Sequence, residues 1–351
     1  MITKIEDIQE LIITGDVDWS FYGDVYTKTS GDLVLFNYKQ EAQFKGRWNF
    51  FERVCRGLIL NKVTGEVVAR PFDKFFNWGE RGMISTAPIE KVSEKIDGSL
   101  GISYIQDGEV KIATRGSFDG EQAIWATKYI NGLPRTPYSW AEEETLLFEI
   151  VYPENRVVID YGDFSGLVLL AARNKVDGGY LDDVTLNFIA EIYRFSRPIT
   201  YNFHAEEDVL RELVDLPDNK EGFVVTFTDG QMFKFKGDRY IELHKLRFGL
   251  SFKNVLDAVS NGSIDGFLRD LPEEFTSQVR EWESEIYKRR DSVMREVARA
   301  FAALTFTSRK DFAIQVNRDF PHLSGYLFAH LDGKDIVPMI YAKEFNNRSS
   351  E

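Results

Sequence analysis

Apolar residues recur at helical spacing from Ile2 to about Ile13, after which the chain turns to the alternation and short apolar runs of strands. Trp19 to Tyr26 reads as an aromatic, strand-prone lead-in, and Asp32 to Tyr38 as a strand. Lys39 to Trp48 is polar and contains Gly46, which predicts a loop. Arg56–Leu60 and Glu66–Phe72 flank the turn Lys62-Val63-Thr64-Gly65 as a hairpin, and Lys74-Phe75-Phe76-Asn77 follows directly. Leu100–Ile105 and Glu109–Thr114 meet at Asp107-Gly108, a strong hairpin signal. Gly120–Tyr129 fits a helix, Thr145–Val151 and Leu167–Ala172 are apolar strands, and Tyr180–Phe195 fits either type. Glu206–Val214 reads as a helix, and Gly222–Phe227 with Gln231–Lys236 closes a further hairpin about Asp229-Gly230.

From Ser251 the alternation disappears, and Pro272 to Leu304 predicts one long amphipathic helix whose dense charges suit a solvated face. The expected fold class is therefore α+β: residues 1–247 built mainly from antiparallel hairpins, followed by an all-helical domain over 248–351.

Composition narrows the field. A chain of 351 residues with 43% hydrophobic and 14% aromatic residues can bury a sizeable core, and no apolar run is long enough to span a bilayer. The first residues, Met1 to Asp7, carry acids where a secretory signal has its apolar stretch, so no export and no membrane are expected. One cysteine, Cys55, and four histidines offer neither an internal disulfide nor a zinc-ligand cluster, which fits a reducing cytoplasm. The net charge of −13 excludes broad coating of nucleic acid, but leaves room for a local basic cleft.

Candidate chemistry centres on Glu94-Lys95-Ile96-Asp97-Gly98-Ser99. Val92 and Ile96 make a short apolar approach, and Asp97-Gly98 turns the chain immediately after Lys95, holding its amine at one place. A nucleophilic amine at neutral pH demands burial or cationic neighbours, because an ordinary lysine titrates near about 10.4. Glu149 lies inside the apolar strand Leu146–Val151, Glu221 begins the last hairpin, and Lys234 and Lys236 share one face of its second strand. Each has a bland reading: Glu149 paired with an arginine such as Arg115, the two lysines guarding an edge strand, and Lys95 solvated before an ordinary turn.

Taken together, these segments resemble the covalent nucleotidyltransferases, in particular the ATP-dependent RNA ligases of the phage T4 RNA ligase 1 family. Lys95-Ile96-Asp97-Gly98-Ser99 is similar to their motif I, and Thr114-Arg115-Gly116-Ser117 to the short motif that follows it. Phe148-Glu149-Ile150-Val151-Tyr152-Pro153 resembles motif III, Glu221-Gly222-Phe223-Val224 motif IV, and Lys234-Phe235-Lys236 motif V. Asn37-Tyr38, Arg56-Gly57 and Lys74–Asn77 resemble elements that this branch places before its lysine, so the likeness covers about Asn37 to Lys245.

The resemblance implies a nucleotidyltransferase domain with ATP-grasp-like antiparallel sheets and a three-step reaction. Lys95 would take AMP from ATP, AMP would pass to an RNA 5′-phosphate, and a 3′-hydroxyl would displace it. By motif, Lys234 and Lys236 would contact the α-phosphate and, with Mg²⁺ (or Mn²⁺), lower the pKa of Lys95. Glu149 and Glu221 would hold the metal or its waters and the ribose, and Arg56 and Lys74 the outer phosphates. Tyr38 would line the pocket, Arg115 would serve ribose or RNA phosphate, and Glu94 would seat the adenine. The branch also has an acidic metal-linked site early in its helical domain, for which Asp265 is the nearest candidate, and Asp265 serves equally as a helix cap. The helical tail lacks the strands of an OB fold, and no P-loop is present, so repair of 5′ ends, as in broken tRNA, would fall to a separate kinase or phosphatase. A different acceptor or GTP, and an RNA-end sensor without turnover, remain as alternatives.

Overall fold

The computed structural model describes residues 1–271 and 275–345. The chain divides into two compact units, residues 1–244 and 245–351, against an expected division after Arg247.

The first unit holds thirteen strands in three sheets. β1 (Val25–Ser30), β2 (Leu33–Tyr38), β3 (Arg56–Asn61) and β4 (Val67–Ala69) form an antiparallel meander. The second sheet has the order β10 (Gly166–Asn174), β9 (Glu144–Val151), β7 (Ser99–Gln106), β8 (Glu109–Thr114), all antiparallel. The third has the order β11 (Thr200–Tyr201), β6 (Ile89–Lys95), β12 (Gly222–Phe227), β13 (Met232–Lys236), β5 (Phe76–Asn77), with only β13 and β5 parallel.

Period-two patterning explains the layers. The helix Ile5–Ile12 turns Ile5, Ile8 and Ile12 onto Val34, Phe36, Leu58 and Leu60 of the first sheet. The alternate residues Leu33, Leu35 and Ile59 pack against Ile102, Ala113, Leu147 and Ala171 of the second sheet, so β2 is buried on both faces. The reverse face of the second sheet, with Leu146, Phe148 and Ile150, is covered by the helices Glu121–Asn131, Tyr138–Glu143 and Asp183–Tyr193. Beneath the third sheet, Phe223, Val225, Phe233 and Phe235 bury with Val209 and Leu213 of the helix Glu206–Val214. Trp78 joins that core by stacking on Phe227 and Phe235, with ring centres 5.5 and 5.0 Å away.

Some elements differ from the sequence pattern. Lys39–Trp48 contains the helix Gln40–Lys45, closed by Gly46 at φ 60°, too short a helix for periodicity to register. Trp19–Phe21 is a single 3₁₀ turn capped by Asp18, and the strand starts only at Val25. In the ambiguous segment, the Asp182 side chain accepts from Thr185 N and starts the helix Asp183–Tyr193.

In the second unit every regular element among the described residues is helical, from Phe252–Ser260 to Val337–Glu344. Its longest helix, Thr276–Ala303, buries Val279, Ile286, Val293 and Ala300 at seven-residue spacing, with Val297 on the same face, and leaves the charges outward. The expected start at Pro272 lies outside the described residues. Asp265 sits in the first turn of Ile264–Asp270. Among the described residues, no helix is long and apolar enough to cross a membrane.

Gly222 fixes the register at the head of β12, where it stands opposite both Lys95 and Lys236. Its φ is 149°, and a Cβ there would lie 1.9 Å from the Phe235 carbonyl oxygen. Gly222→Ala is therefore expected to destabilise the first unit by about 3 kcal/mol or more, read as a fall in denaturation midpoint. A midpoint equal to wild type would contradict the close strand packing.

Candidate active site

β6, β12 and β13 lie side by side, and their alternation sends one row of side chains from each toward a cleft of about 960 Å³. β6 presents Lys91, Ser93 and Lys95, β12 presents Val224 and Thr226, and β13 presents Met232 and Lys234. Glu149 and Leu100 of the second sheet, with Arg56 and Arg115, form further walls of this cleft. The structure thus brings Lys95, Glu94, Arg56, Arg115, Glu149 and Lys234 around one space.

Glu221 organises its cationic end. Its side chain is 1% exposed; Oε2 accepts from Lys95 Nζ at 2.7 Å and Oε1 meets Lys236 Nζ at 3.0 Å. A buried carboxylate survives only with such partners, and here each oxygen has its own lysine. The pairing follows from register, since residue 222 opposes residues 95 and 236 on the two neighbouring strands. β13 is no open edge, because β5 pairs along its far side at Phe233 and Lys234.

Glu149 lies deeper. Burial pushes its carboxyl up to about 7; Lys95 pulls it down, the carboxylates of Glu221 and Asp97 push it up, and Arg56 pulls it down. One Nη of Arg56 is buried with no hydrogen-bond partner, while its guanidinium lies 5.8 Å from the centre of the Phe75 ring. An orphaned buried guanidinium donor beside an acid that resists ionising marks a place for an anion and a cation together. Lys234 approaches the same Phe75 ring at 5.1 Å. Arg115 donates to the Tyr38 hydroxyl at 2.7 Å. The buried Lys74 amine stands over the rings of Tyr38, Trp48 and Phe76, at 5.6, 5.2 and 5.4 Å from their centres. Glu94 is 3.9 Å from Lys220 Nζ.

Asp265 belongs to the second unit, where its exposed carboxylate is 3.5 Å from Arg280. Among the described residues, no three His, Cys, Asp or Glu side chains gather as a metal cage. Glu149 lines the cleft, whereas Glu221 lies behind Lys95 with both oxygens held by lysines. A carboxylate at a space with room for phosphates suits Mg²⁺, an ion bound by one or two carboxylates plus substrate oxygens, and Glu221 would join it only on releasing a lysine.

Sequence reasoning treated Asp97 only as a turn residue. It is buried: Oδ2 accepts from the backbone of Val158 and Ile159 at 2.7 Å each, and Oδ1 from the Tyr240 hydroxyl at 2.9 Å. The turn is pressed onto β9 so closely that a Cβ on Gly98 would lie 2.6 Å from the Ile150 carbonyl oxygen. Lys95 is thereby positioned beside Glu149 by the turn and beside Glu221 by the sheet. Also unforeseen is the contact of Lys91 and Arg197 with Asp183, of which Lys91 and Asp183 line the cleft; the Asp182-Asp183 pair before an apolar helix is its only sequence signal.

With this geometry in view, the sequence model of the RNA ligase family matches residues 54–240, more than half of the chain. The chain belongs to the RNA ligase family. It is 23% identical over 395 aligned positions to the RNA ligase of Rhodothermus phage RM378, covering 89% of this chain and 87% of that protein. It is 32% identical over 207 positions to RNA ligase 1 of bacteriophage TS2126, covering 52% and 50%. A protein of Autographa californica nuclear polyhedrosis virus, described as a bifunctional polynucleotide kinase/RNA ligase, is 30% identical over 272 positions, 70% of this chain but only 38% of the viral protein. The chain thus spans less than two thirds of two of these three relatives. An archaeal ATP-dependent RNA ligase structure aligns over 94% of this chain and 99% of its own at 14% identity, with a TM-score of 0.46. The matched family region contains Lys95, Glu149, Glu221, Lys234 and Lys236.

Two outcomes follow from the buried acids. Ionised Glu149 costs stability above its raised pKa and none below the unfolded value of about 4.5. Glu149→Gln should therefore be more stable than wild type at pH 8, by on the order of 2 kcal/mol, with the advantage vanishing as pH falls from 7 to 4.5. A difference independent of pH in denaturant titrations would contradict the burial assigned to Glu149. Asp97→Ala should lose about 3 kcal/mol by stranding two N–H groups and a hydroxyl, and a wild-type melting point would refute that role.

Proposed function

We propose that the chain is an ATP-dependent RNA ligase that joins 5′-phosphate to 3′-hydroxyl ends through lysyl-AMP and an adenylylated RNA. Supporting this above all is the Lys95–Glu221–Lys236 bridge at the cleft, which sets a nucleophilic amine and a second cation around one buried carboxylate.

In the first step Lys95 Nζ forms a bond to the α-phosphorus of ATP while the bond to the pyrophosphate oxygen breaks. Lys95 leaves its ion pair by giving up one proton, for which Glu221 Oε2, 2.7 Å away, is placed as acceptor, and the freed lone pair attacks. The second proton, lost as the P–N bond forms, passes to solvent in the cleft. Phosphoryl transfer of this kind depends on charge neutralisation and in-line positioning. Lys236 and Lys234 would neutralise the α-phosphate, and Arg56, with its unpaired buried donor, and Lys74 would take the outer phosphates. Glu149 and Glu221 would hold a divalent ion, which supplies positive charge at the phosphate when bound. Glu149 would also meet the ribose, Glu94 the adenine, and Tyr38 and Arg115, already hydrogen-bonded together, the edge of the nucleotide pocket. Asp265 is the candidate acid of the second unit.

The second and third steps reuse these phosphate contacts, with RNA in place of pyrophosphate. The helical second unit would favour structured substrates such as broken tRNA loops, and 5′-phosphates would be supplied by a separate kinase in the cytoplasm. Faster sealing of nicked tRNA than of an unstructured RNA of equal length would support that preference, and equal rates would remove it.

Lys95→Ala should lose transfer of label from α-labelled ATP to protein yet still join RNA that already carries 5′-AMP, because the amine is a nucleophile only in the first step. A folded variant inactive on both substrates would contradict the assignment. Lys236→Ala should slow label transfer by about 10²-fold or more and also slow a later step; unchanged rates throughout would refute its phosphate role.

A further inference from the structure

One wall of the cleft is aromatic and unused by the chemistry above. Phe72, Phe75 and Tyr180 line it with Arg56 and Lys234. Phe72 and Tyr180 are offset-stacked, with ring centres 5.7 Å apart and planes at 25°, and Phe75 meets Phe72 edge-on at 6.0 Å. Tyr180 is 43% exposed, a large solvated surface for an aromatic residue at a cleft. It follows two consecutive glycines, Gly178 and Gly179, yet it is firmly held. Its neighbour Leu181 donates to the Ala172 carbonyl oxygen at 3.0 Å. The Arg173 guanidinium, 5.1 Å from the ring centre, is anchored by two hydrogen bonds to Asp73 at 2.8 and 3.2 Å. The ring is therefore held, at low entropic cost, between contacts with Phe72 and Arg173, and the part of it left exposed opens to the cleft.

We propose that Phe72 and Tyr180 form a stacking surface for a base of the RNA strand held for sealing, an inference that rests on the ligase reading above. Aromatic faces interleaved with cations are the chemistry that holds single-stranded nucleic acid, through base stacking on the rings and phosphate contacts to the cations. The order of groups assigns the base to RNA rather than to ATP. The Arg56 guanidinium lies 5.8 Å from the centre of the Phe75 ring, Phe75 meets Phe72 at 6.0 Å, and Phe72 stacks on Tyr180 at 5.7 Å. Arg56, which lines the same cleft as Lys95, is thus linked to the aromatic pair through Phe75. A mononucleotide with its α-phosphate at Lys95 and its outer phosphates at Arg56 places only its phosphate tail toward Tyr180, so a base there must belong to a strand that enters after pyrophosphate leaves. The cleft volume of about 960 Å³ also stands at the top of the roughly 300–1,000 Å³ range of single-ligand pockets.

The test compares wild type, Tyr180→Ala and Tyr180→Phe in the full chain. Binding of a 5′-phosphorylated single-stranded oligoribonucleotide is measured by fluorescence anisotropy, and KM for ATP by lysine labelling. Tyr180→Ala should weaken RNA binding about tenfold, while Tyr180→Phe, which keeps the ring, should stay within about twofold of wild type. The KM for ATP should move much less than the RNA affinity in both variants. RNA binding unchanged in Tyr180→Ala, or lost equally in Tyr180→Phe, overturns the stacking surface. A KM for ATP that rises in step with the loss of RNA binding also overturns it, because the ring would then serve the ATP base. A wild-type chain that takes no label from ATP overturns the ligase reading itself, and the subsite with it.

Discussion

A carboxylate sealed from water between two lysines is the constraint on which the site depends. Glu221, 1% exposed, cannot be left with a bare charge, and the geometry that satisfies it also draws Lys95 and Lys236 to one point. The bridge is set by backbone pairing: β12 lies between β6 and β13, and Gly222 allows the strands to close over it. Phe223, Val225, Phe233 and Phe235 hold the opposite face of the same strands in the core. On β6 and β13 the core residues Val92, Phe233 and Phe235 thus alternate with Lys95, Lys234 and Lys236.

A second device locates the lysine along its strand. Asp97 ends β6 with a turn tied to Val158 and Ile159, and Gly98 lets that turn lie against β9, which carries Glu149. Lys95 therefore sits where two sheets approach, with a carboxylate from each. Glu149, raised to about 7 chiefly by burial, would gain most from a bound cation, whereas Arg56, with its buried unpaired donor, would gain most from an anion. A metal–phosphate pair meets both needs together.

Much of this was legible in the sequence, for a physical reason. Strand alternation and Asp-Gly turns are local signals, so Lys95, Glu149, Glu221, Lys234 and Lys236 could be placed on strands and faces before their contacts were known. Asp97 was readable only as a turn residue, because its partners Val158, Ile159 and Tyr240 are distant in sequence and leave no local pattern. The helix Gln40–Lys45 escaped because six residues are too few to establish a period. Tyr180–Phe195 stayed open because its apolar residues suited either element, and the decisive feature was the Asp182 cap. The aromatic wall formed by Phe72 and Tyr180 joins residues more than a hundred positions apart, so only the fold reveals it.

The most direct measurement is the identity of the residue that carries AMP. After incubation with ATP and Mg²⁺, digestion and mass spectrometry should find adenylate on the peptide containing Lys95 and on no other, with pyrophosphate removing it. Adenylate on Lys234, Lys236 or another residue, or none after a pyrophosphate wash and renewed exposure to ATP, would contradict the central role given to Lys95.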